Sequence, residues 1–436
     1  MVNLTRRSVF LGSSALAASA FIAPLLERPR AFAQELPFRP EPGARLRLMR
    51  PTPFLDAEVV HFNANVQTFA KITGVPVQVD MEFLDDLQPK AAVAANVGAG
   101  PDLLWGPMSI PQLIPDKLLD VSDLAEHLGE KYGGWYDMPR AASTRDGRWV
   151  ALPLIVLANY VNYRRSWVQN AGFDVFPENM DDFLKLSAEL KKMGHPGGMA
   201  LGHATNDANA WVHWLLWSFG GKLVDENNQV AISSPETRAA LEYMRELYQT
   251  WIPGTASWND ASNNKAFLSG QVGYTNNSIS IYAKAVADQM PMAEDIEHAY
   301  YPRGPVGRPT ELHLAMPIEA FAYTNYPNAA KALMAFLMEE PQYDSWLDAC
   351  VGYHTQTLQG FEDLPVWTKD PKRTVFRDGS ARSLHFGYAG NLGYAAAAAL
   401  ADFIVVDMVA GAAMGQQSAQ EAMEQAEKRA QRYYKV

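Results

Sequence analysis

The opening third of the chain constrains the fold most. Residues 45–50 (RLRLMR) alternate apolar and polar and read as a strand, ended by Pro51-Thr52-Pro53. Val59, Phe62, Val66 and Phe69 then recur at helical spacing, and Gly74 supplies a C-terminal stop. Residues 75–80 (VPVQVD) form a second strand, 84–97 a second helix, and Leu103-Leu104-Trp105 a short apolar third strand. A β-α-β-α-β order predicts a parallel sheet with helices on both faces. Ligands of such sheets sit beyond the strand C-termini. Here those ends are Thr52–Phe54, Glu82–Phe83 and Trp105–Met108.

Residues 145–164 (RDGRWVALPLIVLANYVNYR) come next. Asp146-Gly147 is a tight-turn dipeptide between β-prone runs. Pro153, lacking an N–H, interrupts the following run, and an apolar strand continues from Leu154 to Val161. The stretch reads as a strand leaving one lobe and entering another, with Pro153 at the pivot. Beyond it lie a helix carrying Trp211, Trp214 and Trp217, and a hairpin around Asp225. Ser234-Pro235 starts a helix, with Pro at its first position. Strands follow at 271–275 and 315–323. Helices span 328–338 and about 340–350, and long Ala-rich helices span 390–412 and 416–432. With no repeat and no low-complexity linker, the expected domains are interleaved.

Length and composition (436 residues, 48% hydrophobic, 19% charged) suit a soluble chain of two to three domains. The first 33 residues read as an export signal. Residues 5–11 (TRRSVFL) resemble a twin-arginine signal, with Val9 where an aromatic or Leu is commoner, and Ala31-Phe32-Ala33 fits a cleavage site. A periplasmic, soluble product is expected. No later stretch reads as a membrane span. The single cysteine, Cys350, excludes an internal disulfide and reads as buried. The net charge is −11, and the leader holds four Arg against one Glu, so the rest is more acidic still. That argues against a nucleic-acid or anionic-membrane partner.

No phosphate loop, nucleophile elbow or zinc-helix motif is present, and no cofactor is expected. His195, His203 and His213 read as surface or core residues, and Asp225-x-Asn227-x-Gln229 lacks the glycine and glutamate of a calcium loop. Aromatics and amides are more telling. Trp105, Trp211, Trp258, Tyr274, Tyr353 and His354 fall at strand ends, helix starts or loops, and Trp258-Asn259-Asp260 and Asn276-Asn277-Ser278 mix platforms with polar groups. Sugars present flat C–H faces with a rim of hydroxyls, which aromatic rings and amide or carboxylate groups match.

Several pieces together resemble the cluster-one extracellular solute-binding proteins of bacterial ABC importers. They are residues 92–102 (AVAANVGAGPD), 146–153 (DGRWVALP), Tyr163-Arg164, Ala171-Gly172, 177–184 (PENMDDFL), 219–225 (FGGKLVD), 266–273 (AFLSGQVG) and 328–333 (NAAKAL). The resemblance spans essentially the whole chain after the leader. It implies an α/β fold of two interleaved, hinge-connected lobes with mostly parallel sheets. Lobe 1 is expected over 34–155 plus 317–360, and lobe 2 over 156–316 plus 361–436. Crossovers are expected near 153–157, 315–319 and 359–364. The resemblance further implies a monomeric, non-catalytic receptor that hands a small neutral sugar, oligosaccharide or polyol to a membrane permease. By position, the implied pocket is Thr52, Phe54, Glu82, Phe83, Trp105, Met108, Trp211, Trp258, Asn276, Asn277, Ser278, Tyr353 and His354. Two rivals stay open: a periplasmic glycoside hydrolase using Glu82 with a second carboxylate, and a receptor for a glycerol-phosphate-like or amine solute, marked by Arg303 or Glu82 on the ligand.

Overall fold

The computed structural model describes residues 37–435, so the export-signal expectation for residues 1–33 lies outside it. The opening units form as their patterns predict. Strands β1 (Leu46–Pro51), β2 (Val77–Glu82) and β3 (Leu103–Trp105) pair in the order β2-β1-β3, all parallel, with Leu46 opposite Val77 and Leu48 opposite Leu103. Helices α1 (Asp56–Thr73) and α2 (Leu84–Val97) make the crossovers, each ended by a left-handed glycine, Gly74 or Gly98. Strand alternation sorts the side chains into two layers. Leu46, Leu48, Leu103 and Trp105 face Phe62, Val66 and Phe69 of α1. Met49 and Leu104 face Leu87, Ala91, Ala94 and Ala95 of α2.

Asp146 and Gly147 turn between β4 (Thr144–Arg145) and β5 (Arg148–Trp149) with φ of 50° and 78°, the positive-φ pair expected of a tight hairpin. Strand β6 (Leu152–Leu157) then joins the first sheet and β7 (Tyr160–Arg164) the second. Pro153 is therefore inside a strand and is not the pivot. It lies opposite Pro317 of β10 (Leu314–Ala320), where the ladder shifts register because neither proline can donate an N–H. The chain passes between sheets at Ala158–Asn159.

The expectation of mostly parallel sheets holds only for the first three strands. Strand β10 enters the sheet between β3 and β6 at the end from which β6 leaves, Leu314 opposite Leu157, and runs antiparallel to both. The second sheet, β8 (Tyr274–Asn277), β7 and β9 (Ile296–Ala299), is antiparallel throughout. Tyr160 pairs with Asn277, and Val161 with Asn276 and Ala299. The start of β7 and the ends of β8 and β9 thus gather at the junction with the first sheet.

Three stretches meet at that junction. Val156 and Thr355 exchange backbone hydrogen bonds of 3.0 and 2.8 Å. The Asn159 N–H donates to His313 Nδ1 at 3.1 Å. Gly379 lies so close to Ala158 that a Cβ on it would meet the Ala158 Cβ at 2.4 Å. Further along, the Gln359 and Gly360 N–H groups donate to Gly134 O and Tyr132 O, and Lys372 Nζ donates to Ile296 O of β9.

Around the second sheet pack α3 (Met180–Lys192), α4 (Asp207–Ser218) and α5 (Pro235–Tyr248); α6 (Pro327–Met338) and α7 (Glu340–Ala349) cover the first. Asn179 and Ser234 cap α3 and α5 through N–H bonds of 2.9 and 3.1 Å. The expected Ala-rich helix over 390–412 is broken. Phe403 takes a left-handed φ of 52°, dividing α8 (Tyr394–Ala401) from α9 (Ile404–Ala413). Contrary to the sequence reading, Tyr394–Ala413 is long and apolar enough by composition to cross a membrane, but 61% of its most apolar 18-residue stretch is buried against the body. Helix α10 (Ala419–Ala430) opens with a Ser418–Glu421 capping box and packs on α9.

Candidate functional site

Strand ends from both sheets face one another across a cleft. From the first sheet come Thr52 and Phe54 after β1, Glu82 and Phe83 after β2, and Met108 after β3. Thr52 is exposed, its N–H donating to Glu82 O at 2.8 Å, and Phe54 is half-buried in the following turn. The Glu82 carboxylate is paired with Lys90, nearly two turns into α2. Phe83, the residue before α2, is 76% exposed, an unusual state for so large an apolar ring. Met108 is buried but lines the cavity described below.

Two expected aromatics are core residues instead. Trp105 is buried beneath the cleft, stacked on Phe62 at 5.6 Å and edge-on to Trp346 at 5.4 Å, and its Nε1–H donates to Met316 O at 3.1 Å. β3 is a central strand, so a large ring at its end is covered by α1 and α7. Trp211 is fully buried against Trp251 at 5.3 Å, its Nε1–H donating to Ala200 O at 2.6 Å. Trp258 is half-buried and packs toward the Gly198 backbone. Tyr274, also noted for its position, is core: its hydroxyl shares a 2.7 Å hydrogen bond with Ser187 Oγ and accepts from Trp251 Nε1–H at 2.8 Å.

Asn276, Asn277 and Ser278 do come together, in a buried amide cluster centred on Asp207. The Asp207 carboxylate accepts from Asn159 Nδ2 and Asn263 Nδ2, each at 2.7 Å, and from Asn277 Nδ2 at 3.4 Å. Asn276 Nδ2 donates to Asn159 Oδ1 and to Asp207 O, both at 2.9 Å. The Ser278 N–H donates to Asn277 Oδ1 at 2.7 Å. Tyr301, stacked on Trp214 at 4.6 Å, donates its hydroxyl to Asn159 Oδ1. Asp260 caps the start of α4, accepting the Asp207 N–H at 2.7 Å and the Asn206 N–H at 3.2 Å. Burial and the charge of Asp260 push Asp207 well above the usual carboxylate range. Burial, with the charge of Asp85 across the cleft, pushes Asp260 up to about 6.

Tyr353 and His354 join the two sides. Burial raises the Tyr353 hydroxyl, reinforced by Glu58 of the first half and by Asp207 and Asp260 of the second. His354 is buried, edge-on to Trp346 at 4.5 Å and to Trp105 at 5.6 Å, and burial with the Arg50 charge pulls it well below the usual imidazole value. Beneath them lies an ion pair that the sequence reading did not single out. Arg50 and Glu58 are fully buried and paired. The guanidinium lies 4.1 Å from the Phe62 centroid and 4.4 Å from that of Trp105, and Trp346 Nε1–H donates to Glu58 Oε1 at 3.1 Å. Arg50 reads as the end of an alternating strand, with nothing local to say that its side chain turns inward.

A cavity of about 320 Å³ opens between the halves. One wall holds Asp85, Gln88 and Met108, the other His203, Thr205 and Phe403. Thr205 Oγ1 donates to Asp85 Oδ1 directly across it. Among the described residues, no lysine or arginine lines this cavity. Arg303 does not reach it; it lines a separate hollow beside Tyr300 and Arg382. His195 stacks on Trp167 and His213 is buried beside Trp217, so with His203 on the cavity wall the three histidines stand apart.

The chain matches the family described as bacterial extracellular solute-binding protein over residues 64–375. A binding protein of Brucella abortus (strain 2308) is 22% identical over 134 residues, which are 30% of this chain and 33% of that protein, so the match spans about a third of the relative's length. Among solved structures, maltose-bound MalE3 of T. maritima superposes with a TM-score of 0.78 at 18% identity, covering 89% of this chain and 99% of that one. A sugar transporter protein of Arthrobacter chlorophenolicus A6 with bound laminaribiose gives 0.77 at 15% identity, covering 89% and 99%. An ABC transporter solute-binding protein of Agrobacterium radiobacter K84 in complex with ribitol gives 0.75 at 16%, covering 89% and 98%. At these identities the solved structures speak to the two-lobed α/β fold, and the family match extends over most of the sequence: the chain belongs to the bacterial extracellular solute-binding proteins.

Proposed function

We propose that the chain is the periplasmic receptor of an ABC importer. It captures one small neutral sugar or polyol between its lobes and presents the closed form to a membrane permease, without chemical change to the solute. The observation that carries this reading is the cavity between the halves, where hydroxyl, amide and carboxylate groups stand among apolar side chains such as Leu84, Leu314 and Phe403, with no lysine or arginine lining it among the described residues. Hydroxyl-rich neutral solutes supply the donors such acceptors need. Anionic solutes call for arginine, lysine or a helix N-terminus. The neighbours named above carry maltose, laminaribiose and ribitol in the same fold. We place the lobe division at Ala158–Asn159, near residues 310–313 and between Glu362 and Lys372. The sheet memberships of β6, β7 and β10 support it.

A glycoside hydrolase built on Glu82 is disfavoured because that carboxylate is engaged by Lys90. A thermal-shift panel of sugars, polyols and amines, each followed by chromatography of the recovered solute, tests the reading. A true ligand at about 100-fold its Kd stabilises by ~2.7 kcal/mol. A shift with a carbohydrate recovered intact supports the receptor. Turnover, or a shift with amines alone, overturns it.

A further inference from the structure

Phe403 is the least expected residue on the cavity wall. It sits between α8 and α9 with φ 52° and ψ 32°. That conformation suits glycine or asparagine and is strained for a bulky aromatic. Strain of this kind persists where the surroundings over-determine it, and it gathers at ligand clamps. The surroundings here are specific. The Phe403 ring lies parallel to the His203 imidazole, with centroids 4.4 Å apart and planes 2° from parallel. His203 Nε2 is 2.8 Å from Asp407 Oδ1, and Asp407 Oδ2 accepts from Arg429 Nη1 at 2.6 Å. The half-buried Phe403 ring thus stacks on an exposed imidazole that Asp407, itself held by Arg429, keeps in place. Both rings line the cavity, facing a wall that carries Asp85 and Gln88. Gln88 Oε1 accepts from Ser109 Oγ at 2.8 Å, which leaves its amide nitrogen as the donor end.

We propose that Phe403 is the stacking platform for the bound solute, meeting the C–H face of one sugar ring or polyol chain while Asp85 and Gln88 take its hydroxyls from the opposite lobe. The C–H face of a sugar is the apolar surface that an aromatic ring covers best. The cavity, about 320 Å³, lies near the lower end of the roughly 300–1,000 Å³ spanned by small-molecule sites. It admits a polyol, a monosaccharide or a disaccharide and excludes longer oligosaccharides. The inference rests on the receptor reading and sharpens it. Specificity is set by the broken C-terminal helix, and the tryptophans at 105 and 211 make no contact with solute.

The test begins with a solute that stabilises the wild-type protein, chosen from mannitol, ribitol, glucose and maltose. That solute is titrated calorimetrically into F403G, F403N and F403W. Gly and Asn accept the left-handed backbone, which offsets part of the packing lost with the ring, so both variants stay folded. The expected result is a Kd at least tenfold weaker in F403G and F403N, within about threefold of wild type in F403W, and no binding of maltotetraose. Wild-type affinity in folded F403G, or maltotetraose bound as tightly as the smaller solute, overturns the platform and leaves the receptor reading standing. Failure of the wild-type protein to bind any carbohydrate overturns the receptor reading itself, and the platform with it.

Discussion

Arg50 and Glu58 hold a full charge pair out of water, and the cost of that burial is set against their mutual attraction. Burial pulls the guanidinium down and pushes the carboxyl up, while each partner's charge opposes the shift in the other. Such a pair is worth little over an apolar substitute, but breaking it strands a charge. R50M should therefore cost about 3–5 kcal/mol in urea unfolding, and the R50M/E58L double variant should recover most of the loss. His213 offers a second residue-level test. It is buried with its ring nitrogen 2.8 Å from Asn209 O, and burial holds its pKa down at about 4. The unfolded chain takes up that proton near pH 6.5, so the folded state loses stability as pH falls from 6.5 toward 4. Between pH 7 and pH 5 the H213N variant should gain about 2 kcal/mol relative to wild type, read from paired denaturant curves. A difference that does not change with pH would contradict the burial argument.

At the scale of elements, the junction between the sheets is where small side chains matter. Ala158, Thr355 and Gly379 lie side by side, and Gly379 has no room for a Cβ. G379A should destabilise by about 1–3 kcal/mol through overpacking, and A158G/G379A should restore most of it by removing the facing methyl. Thermal unfolding of the three proteins decides this. Elements were legible in the sequence where their signals are local. The β1-α1-β2-α2-β3 unit follows from alternation and helical spacing, closed by Gly74, and the Asp146-Gly147 turn from its dipeptide. Features set by tertiary contact were not legible. Trp105 and Trp211 sit at positions where a core ring and a cleft ring leave the same trace. Pro153 looked like a pivot because its partner Pro317 is remote in sequence. The break at Phe403 is invisible in an Ala-rich run, since packing rather than propensity imposes its left-handed backbone. The amide cluster was half visible: Asn276–Ser278 stand out, but Asp207, which accepts from Asn276 and Asn277, carries no local signal.

For the whole molecule, the two sheets direct strand ends toward a common cleft for one topological reason. The chain crosses between halves at one end of the adjacent strands β6 and β10, where Leu157 lies opposite Leu314, so strands meeting there bring their termini with them. Asp85, in the first turn of α2 after β2, and Thr205, just before α4, bond across the gap beside the cavity. The central claim is that this cavity takes up a small neutral carbohydrate and releases it unaltered. Isothermal titration calorimetry of the purified chain with mannitol, ribitol, glucose and maltose, with the solute recovered afterwards and analysed, tests it most directly. Saturable one-to-one binding of at least one of the four is expected, with a negative heat-capacity change and full recovery of intact solute. Absence of binding by every one of them, or recovery of a hydrolysed product, would contradict it.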